Sequence, residues 1–152
     1  MNILFVCTDN YTRSVIAELC MRHYLKETRN ASINVESAGI RATSDISKYS
    51  NVHFDIMNEM GIDTSCFKRT QFNVSCFDHY EVIIGMSELH RDHIKQTYNR
   101  DILLFNEVLH GQTVPVNVGH PDSPNFLEDM KQLVTYFREA TPIVLQKLAL
   151  HS

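Results

Sequence analysis

A cysteine and an arginine lie near the start of the chain, separated by five residues. The segment that contains them is Cys7-Thr8-Asp9-Asn10-Tyr11-Thr12-Arg13-Ser14. Backbone N–H groups of a tight loop converge on an anion, and an arginine guanidinium can donate two parallel hydrogen bonds to phosphate oxygens. This spacing therefore predicts a loop that binds a phosphate-like dianion above a nucleophilic thiol.

The residue types of this segment suit covalent catalysis. Cys7 is predicted to be the nucleophile, because Arg13 and the N-terminus of a following helix favour its thiolate. Ser14 can donate its hydroxyl to that thiolate. Asn10 tolerates the left-handed backbone conformation and can brace the loop with its side chain. The residues predicted to bind substrate are Thr8, Asp9, Asn10, Tyr11, Thr12 and Ser14.

Two regular elements must hold this loop in place. Residues 2–6 form an apolar run typical of a buried strand, and residues 14–26 carry apolar side chains at helical spacing. A cysteine that ends a strand is often only a core residue, so the motif depends on this strand–loop–helix context. An alternating segment at 32–37 predicts a second strand, and Gly39 behind it suits a turn with positive φ.

The rest of the chain alternates strands and helices. Further strands are predicted at 80–86 and 101–105, helices at 52–60, 87–96 and from 126 onward, and a loop across 110–124. Gly61 is predicted to end the helix before it, and Pro142 to kink the last helix or start a separate final turn. Such alternation predicts a parallel sheet covered on both faces, whose ligands bind beyond the carboxyl ends of the strands.

Length and charge exclude several classes of protein. The 152 residues suffice for one domain with a substantial core, and the net charge of −4 argues against a nucleic-acid binder. No apolar run approaches the roughly 18 residues of a membrane span, and the first residues lack the features of a signal peptide. We therefore expect a cytoplasmic protein with neither nucleic-acid nor membrane partners.

The cysteines and histidines do not indicate a metal site. The four cysteines are Cys7, Cys20, Cys66 and Cys76, and none belongs to a C-x-x-C pair. His90 and His93 could share a helix face, but no third ligand accompanies them. The histidines that we interpret as surface residues are His23, His79, His90 and His93. We expect free thiols, no metal and no cofactor.

In its motifs the chain resembles the low-molecular-weight protein tyrosine phosphatases and their thioredoxin-coupled arsenate reductase relatives. That family has an apolar strand followed by C-x-G-N-x-C-R-S, and the matching residues are Cys7, Asn10, Arg13 and Ser14. Ala17-Glu18 and Ser37-Ala38-Gly39 match further family motifs, and residues 65–72 and 77–86 are similar to two more segments. The similarity covers nearly the whole chain in order.

The resemblance implies a single domain over residues 1–152, with a four-stranded, parallel, flavodoxin-like sheet and helices on both faces. It also implies hydrolysis of phosphotyrosine or aryl phosphomonoesters through a cysteinyl-phosphate, without metal or cofactor. The expected partners are a phosphotyrosine protein or a small aryl phosphate, with a phosphate or sulfate ion in the loop. By resemblance alone, Ile40, Tyr49 and Tyr80 are expected near the pocket.

Three positions depart from the family pattern. Asp9 replaces the loop glycine, and its carboxylate either repels a dianion or points to solvent. Thr12 replaces the second loop cysteine. The family's general acid lies in a late Asp-Pro pair, which corresponds here to residues 118–124, so the proton donor is expected to be His120 or Asp122. Asp122 is preferred because a small shift of this proline-rich loop would bring it into place.

Two other functions remain open at this point. Arsenate reduction would require Cys66 or Cys76 as a resolving thiol. A catalytically weakened phosphate- or phosphotyrosine-binding module would explain Asp9 and the altered acid motif. The role of Tyr11 is also open, since its ring could line the pocket, stack on an aryl substrate or cover core residues.

Overall fold

The computed structural model describes residues 1–43, 51–118 and 122–150. Strands and helices alternate along these residues. In chain order they are β1 (Asn2–Cys7), α1 (Arg13–Glu27), β2 (Asn34–Gly39), α2 (Val52–Glu59), α3 (Cys76–His79), β3 (Val82–Gly85), α4 (Glu88–Tyr98), β4 (Leu103–Leu104), α5 (Phe105–His110) and α6 (Phe126–Leu150).

The four strands form one parallel sheet in the order β2-β1-β3-β4. At its carboxyl end, β1 pairs Cys7 with Gly39 of β2 and Val6 with Gly85 of β3. This is the flavodoxin-like order, in which ligands bind beyond the carboxyl ends of the strands where the winding reverses, here between β1 and β3. The predicted parallel sheet is confirmed.

Apolar side chains cover both faces of this sheet. On one face, Phe5 packs with residues of α1, α2, α5 and α6, among them Phe137. On the other face, Leu4 and Val6 pack with residues of α3 and α4, among them Ile94. Successive side chains of a strand point to opposite faces, so β1 is held between two cores and the position of its last residue is well defined.

Most predicted elements are confirmed, with ends that differ by a few residues. Gly61 has φ +79° behind α2, as expected for the end of a helix. The strand predicted at 101–105 is wrong in extent, because only Leu103 and Leu104 pair before the chain turns into α5. The short helices α3 and α5 escape prediction, since four and six residues show too little periodicity.

The last helix, α6, contains 25 residues. The sequence predicts that Pro142 either kinks this helix or starts a separate final turn, and the separate turn does not form because α6 continues through the proline. Thr141 Oγ1, next to the proline, donates to the Phe137 carbonyl oxygen at 2.8 Å. Across the ranges that the structure describes, neither α6 nor any other helix combines the length and apolar character needed to cross a membrane.

Candidate active site

The cysteine of the motif ends β1 and the arginine begins α1. Cys7 is buried at the carboxyl edge of the sheet, loop residues 8–12 follow, and Arg13 is the first of the 15 residues of α1. Cys7 Sγ lies 2.9 Å from Ser14 Oγ. Since the first N–H groups of a helix carry partial positive charge, the loop connects a thiol to an anion-attracting helix end.

Asn10 holds the loop together. Its φ is +55°, in the left-handed region predicted for it. Its Nδ2 donates to Ser14 Oγ at 3.0 Å and to Ser37 Oγ at 2.8 Å, and its Oδ1 accepts the Thr70 N–H at 2.7 Å. Because Ser14 Oγ already accepts a hydrogen bond from Asn10 Nδ2, the Ser14 hydroxyl is left to donate to Cys7 Sγ.

A buried carboxylate supports this network from behind the loop. Ser37 Oγ donates to Glu18 Oε1 at 2.6 Å, and Arg22 Nε donates to Glu18 Oε2 at 2.7 Å. Burial raises the pKa of Glu18, and its contacts with Ser37 and Arg22 oppose that rise. The Ala-Glu and Ser-Ala-Gly motifs of the sequence thus meet in one hydrogen-bonded unit that links α1 to β2.

Gly39 lets the loop approach β2 closely. A Cβ atom at this position would lie 2.7 Å from Asn10 N, too close for any side chain. Pairing continues beyond the strand, where the Ile40 N–H donates to the Cys7 carbonyl oxygen at 3.0 Å. Gly39 lacks the positive φ that the sequence predicts, so that prediction is wrong: the close approach of two backbones requires the glycine.

His90 braces the loop from the β3 side. Its ring is fully buried, and its Nδ1 accepts the N–H groups of Met86 and Ser87, each at 3.2 Å. The ring proton is therefore on Nε2, which donates to Thr8 Oγ1 at 3.1 Å. Burial, with a smaller contribution from the charge of Arg13, lowers the pKa of His90 to about 3. The interpretation of His90 as a surface residue is wrong.

Arg13 connects the loop to the segment that follows α5. Its Nη1 donates to the Val116 carbonyl oxygen at 3.0 Å, and the Val116 N–H donates to the Met86 carbonyl oxygen at 2.8 Å. The chain near Val116 is thereby attached to the end of β3, beside the guanidinium. A guanidinium has five N–H donors, so Arg13 can keep this contact and still bind phosphate oxygens.

Comparison with known proteins places the chain in a family. Residues 2–136 match the family described as low molecular weight phosphotyrosine protein phosphatase. The chain belongs to this family. The low molecular weight protein-tyrosine-phosphatase Ptp of Acinetobacter johnsonii is 31% identical over 97 residues, and this match covers 64% of the chain and 64% of the relative's own length, slightly under two thirds. The resemblance seen in the sequence motifs is confirmed.

Solved structures share the fold. A low molecular weight protein tyrosine phosphatase from T. tengcongensis superimposes with a TM-score of 0.80 at 22% identity, over 97% of this chain and 99% of that one. The YwlE arginine phosphatase from Geobacillus stearothermophilus gives a TM-score of 0.76 at 21% identity, over 99% of this chain and 94% of that one. Both comparisons confirm the α/β architecture of the family.

Asp9, which stands where the family has a loop glycine, is buried. Its side chain does not point to solvent, because only 6% of the residue is exposed. Its Oδ1 accepts the Tyr11 N–H at 3.2 Å and lies 3.8 Å from Cys7 Sγ. Arg69 Nε donates to the Asp9 carbonyl oxygen at 2.8 Å. The backbone of Asp9 avoids positive φ, so the aspartate fits here without the strain that would demand glycine.

Tyr11 packs against α2 and the chain that follows it. The centroid of its ring lies 5.3 Å from that of His53, 5.7 Å from that of Phe54 and 5.8 Å from that of Phe67. Its hydroxyl donates to Asn51 Oδ1. Of the roles considered for Tyr11, packing on neighbouring side chains describes these contacts best, and the resulting aromatic cluster borders the loop.

The two candidate proton donors differ in placement. His120 belongs to residues 119–121, outside the described residues. Asp122 is described and exposed, four residues before α6 begins. Val116, which bonds to Arg13, lies six residues before Asp122. The stretch that holds both donors therefore starts beside the loop.

Of the three residues expected near the pocket by resemblance alone, two are described by the structure, and only one of these lies beside the loop. Ile40 lies beside the loop, because its N–H bonds to the Cys7 carbonyl oxygen. Tyr80 precedes β3 at the opposite, amino edge of the sheet, where its hydroxyl donates to Glu36 Oε2 at 2.5 Å. The expectation for Tyr80 is therefore wrong. Tyr49 falls within 44–50, outside the described residues.

The other cysteines lie away from Cys7. Cys76 begins α3, which leads into the amino end of β3. Cys66 is exposed and lines a cavity with Asn34, at the amino end of β2. Cys7 ends β1 at the carboxyl edge of the sheet, about 17 Å from the amino end of this six-residue strand. The position of the family's second loop cysteine holds Thr12, which is buried at the start of α1.

Two residues that contact the loop are not found by reading the sequence. Arg69 lies in a segment without regular structure and gives no local signal. His90 does have one, because Ser87 and His90 form a capping box in which the histidine takes the place usually held by Glu or Gln. A capping box directly behind a strand lies at the ligand-binding edge of a parallel sheet. The sequence therefore contains a signal that could predict the position of His90 near the loop.

Proposed function

We propose that this chain is a protein-tyrosine phosphatase, which hydrolyses phosphotyrosine or aryl phosphomonoesters through a cysteinyl-phosphate. One observation carries the proposal: Cys7 Sγ lies 2.9 Å from Ser14 Oγ, at the base of a loop that leads into the N-terminus of α1. A thiol next to a hydroxyl donor and a helix N-terminus is suited to act as a thiolate nucleophile. Family membership supports the same activity.

The loop is suited to stabilise the transition state of phosphoryl transfer. The N–H groups of residues 8–12, the first turn of α1 and Arg13 provide donors for the three non-bridging oxygens, where charge develops. Substrate binding would use Thr8, Asp9, Asn10, Tyr11, Thr12 and Ser14. Asn10 and His90 already hold the loop through buried hydrogen bonds, so the backbone of the loop is in position before a phosphate or sulfate ion binds.

The proposed reaction has two steps. The Cys7 thiolate attacks phosphorus, so that the S–P bond forms while the bond from phosphorus to the leaving oxygen breaks, and Asp122 or His120 donates a proton to that oxygen. Water then attacks the phosphocysteine and gives its proton to the same residue. The S–P bond breaks, inorganic phosphate leaves, and the Ser14 hydroxyl stabilises the departing thiolate. No metal or cofactor takes part in either step.

The first experiment measures turnover of p-nitrophenyl phosphate. Cys7→Ser is expected to lower kcat by more than about 10⁴-fold, because removal of a catalytic nucleophile leaves only binding and electrostatic effects. Cys66→Ser is the matched control, since Cys66 is an exposed thiol at the other edge of the sheet, and it should keep wild-type turnover. Activity that survives in Cys7→Ser would refute the mechanism. Thiol-dependent arsenate turnover that Cys66→Ser or Cys76→Ser abolishes would favour arsenate reduction instead.

Two phosphorylated side chains, phosphotyrosine and phosphoarginine, are candidates for the substrate. The 31% identical relative is named for tyrosine phosphatase activity, whereas a solved structure of the same fold is named an arginine phosphatase. We propose phosphotyrosine, because the aromatic cluster around Tyr11 borders the loop. The test is to measure kcat/KM for a phosphotyrosine peptide and for a phosphoarginine peptide. A higher value for phosphoarginine would overturn this assignment.

A second candidate is a phosphate- or phosphotyrosine-binding module with weak turnover. The observation that favours it is the carboxylate of Asp9, whose Oδ1 lies 3.8 Å from the Cys7 sulfur. Calorimetry with a phosphotyrosine peptide, run beside the turnover assay, separates the candidates. Tight binding without turnover would support the module, and turnover would support the enzyme.

We further propose that the protein works in a reducing compartment, such as the cytoplasm. All four cysteines are free, and a nucleophilic thiol must stay reduced to react. Fractionation of the source cells tests this, and recovery with secreted proteins would contradict it.

A further inference from the structure

One oxygen of the Asp9 carboxylate is bonded to an amide of the loop and lies close to the Cys7 sulfur, where a phosphoryl group would have to bind. Its Oδ1 accepts the N–H of Tyr11, one of the loop amides, at 3.2 Å. The same oxygen lies 3.8 Å from Cys7 Sγ, with the thiol as donor. A phosphoryl group poised for reaction must approach that sulfur to about 3–3.5 Å while loop amides hold its oxygens. The Asp9 carboxylate and a bound phosphoryl group would therefore occupy the same position.

The second carboxylate oxygen strengthens this inference. Asp9 Oδ2 is buried and has no hydrogen-bond partner among the residues that the structure describes. Leaving a buried acceptor unsatisfied costs free energy, and the hydrogen bonds of the loop satisfy only one of the two carboxylate oxygens. Its neighbour Asn10 shows the contrast, since both polar atoms of the Asn10 amide are bonded.

We propose that the Asp9 carboxylate is an internal anion, which occupies the phosphate-binding loop of the substrate-free protein and which an incoming phosphoryl group must displace. This inference rests on the proposed function of the loop as a phosphate-binding site. It adds that the Asp9 carboxylate competes with phosphate for that site. Like charges a few ångströms apart in a buried site repel each other strongly. Phosphate and the Asp9 carboxylate therefore exclude each other, and affinity for oxyanions is lower than the loop alone would give.

Two substitutions separate the charge of Asp9 from its bulk. Asp9→Asn keeps the shape and the acceptor for the Tyr11 N–H but removes the charge. Asp9→Gly removes both. Asp55→Asn is the matched control, because Asp55 is an exposed carboxylate on α2, next to the aromatic cluster, and its loss changes the net charge equally.

The first readout is anion affinity, measured without turnover. Inorganic phosphate is expected to protect Cys7 from alkylation by iodoacetamide, and peptide mass spectrometry separates the label on Cys7 from that on the other three cysteines. We expect the phosphate concentration for half protection to fall at least tenfold in Asp9→Asn and further in Asp9→Gly. Asp55→Asn should stay within twofold of wild type. Equal protection constants in wild type and both Asp9 variants would overturn the proposal.

The second readout compares two alkylating agents of similar size. Iodoacetate is an anion and iodoacetamide is neutral, so the ratio of their rates at Cys7 reports the charge inside the loop. We expect this ratio to rise at least fivefold in Asp9→Asn. An unchanged ratio would mean that the carboxylate does not lie in the path of anions, and would overturn the proposal.

These measurements also distinguish failure of the internal-anion proposal from failure of the phosphatase assignment. If the wild type binds phosphate and gains affinity on Asp9→Asn but no variant turns over p-nitrophenyl phosphate, the internal anion stands and the phosphatase assignment fails. If turnover is normal and the Asp9 variants match wild type in both readouts, the internal anion fails alone. Far-UV circular dichroism of each variant confirms that the fold is retained.

Discussion

The phosphate loop (residues 7–14) and the acid segment, whose described residues are 116–118 and 122–124, both take part in the proposed reaction. The fold constrains the phosphate loop and these described residues very differently. The loop is hydrogen-bonded to α1, β2, α4 and the chain near Thr70 through Asn10 and Thr8, and Gly39 lets it approach β2 closely. The acid segment is attached at Val116, and its Asp122 is exposed.

This difference separates two parts of catalysis. The donors that stabilise developing charge must be held in place before the reaction, since their value depends on costing no reorganisation. A proton donor has only to reach the leaving oxygen once substrate is bound, so a surface loop can carry it. Substitutions in the phosphate loop should therefore change stability and activity together, whereas those in the acid segment should change activity alone.

Among the substitutions that test this contrast between the two regions, the largest effect is expected from the acid segment. Loss of the true acid should lower kcat for p-nitrophenyl phosphate and phosphotyrosine substrates by about 10²–10⁴-fold, with the greater loss for the poorer leaving group. We expect Asp122→Asn to show this effect. The true acid's loss should also flatten the basic limb of the pH–rate profile, while the urea midpoint of unfolding stays within error of wild type.

His120→Asn is the matched comparison, because it removes the other candidate donor from the same stretch. We expect it to keep the basic limb of the profile. The reverse outcome would assign the acid to His120. A lower urea midpoint in Asp122→Asn would contradict the contrast between the two regions, since it would show that the acid segment also supports the fold.

The next effect concerns the centre of the phosphate loop. Asn10→Ala should lower the free energy of unfolding by about 3 kcal/mol, because alanine is strained at φ +55° by about 1–2 kcal/mol and buried partners are left unsatisfied at about 1–3 kcal/mol. kcat/KM should fall with it. Urea unfolding and steady-state kinetics measure the two effects on one preparation.

Asn99→Ala is the matched control for the backbone strain of an alanine at positive φ. Asn99 has φ 56° at the end of α4, but it is exposed. Its substitution should cost about 1 kcal/mol and leave kcat/KM unchanged. If Asn10→Ala were no more destabilising than Asn99→Ala, the hydrogen bonds of Asn10 would not hold the loop.

The same contrast explains how much could be predicted from the sequence. Strand β1, the loop and α1 are contiguous, so periodicity and residue types predicted both the fold and the left-handed Asn10. The approach of β2 is a tertiary contact, which is why Gly39 was assigned to a turn when it in fact makes room for the Asn10 backbone.

Side chains whose role depends on distant partners were predicted least well. His90 follows Thr8 by 82 residues, and its position in α4 looks like that of an ordinary helix residue until the strands are paired. Asp9 was recognised as a departure, but its residue type does not tell whether the carboxylate points outward or into the loop. That choice depends on Tyr11 N–H and on the burial of the surrounding chain.

The smallest effect that we predict is a pH dependence carried by His90. Its folded-state pKa is about 3, whereas an unfolded histidine titrates near 6.5. Between these values the unfolded chain binds one more proton, so the free energy of unfolding falls as pH falls, by up to about 1.4 kcal/mol per pH unit. Above about pH 7 both states are neutral at this residue, and its contribution no longer changes.

His90→Asn isolates this contribution, because asparagine does not titrate and can still accept the N–H groups of Met86 and Ser87. The stability difference between wild type and variant should therefore shrink by about 2 kcal/mol from pH 7 to pH 5, measured by urea unfolding at each pH. His79→Asn, which removes an exposed imidazole, should keep the wild-type slope. A difference that is constant with pH would show that His90 binds a proton as readily in the folded protein as in the unfolded chain. The N–H groups of Met86 and Ser87 would then not hold its Nδ1 as an acceptor.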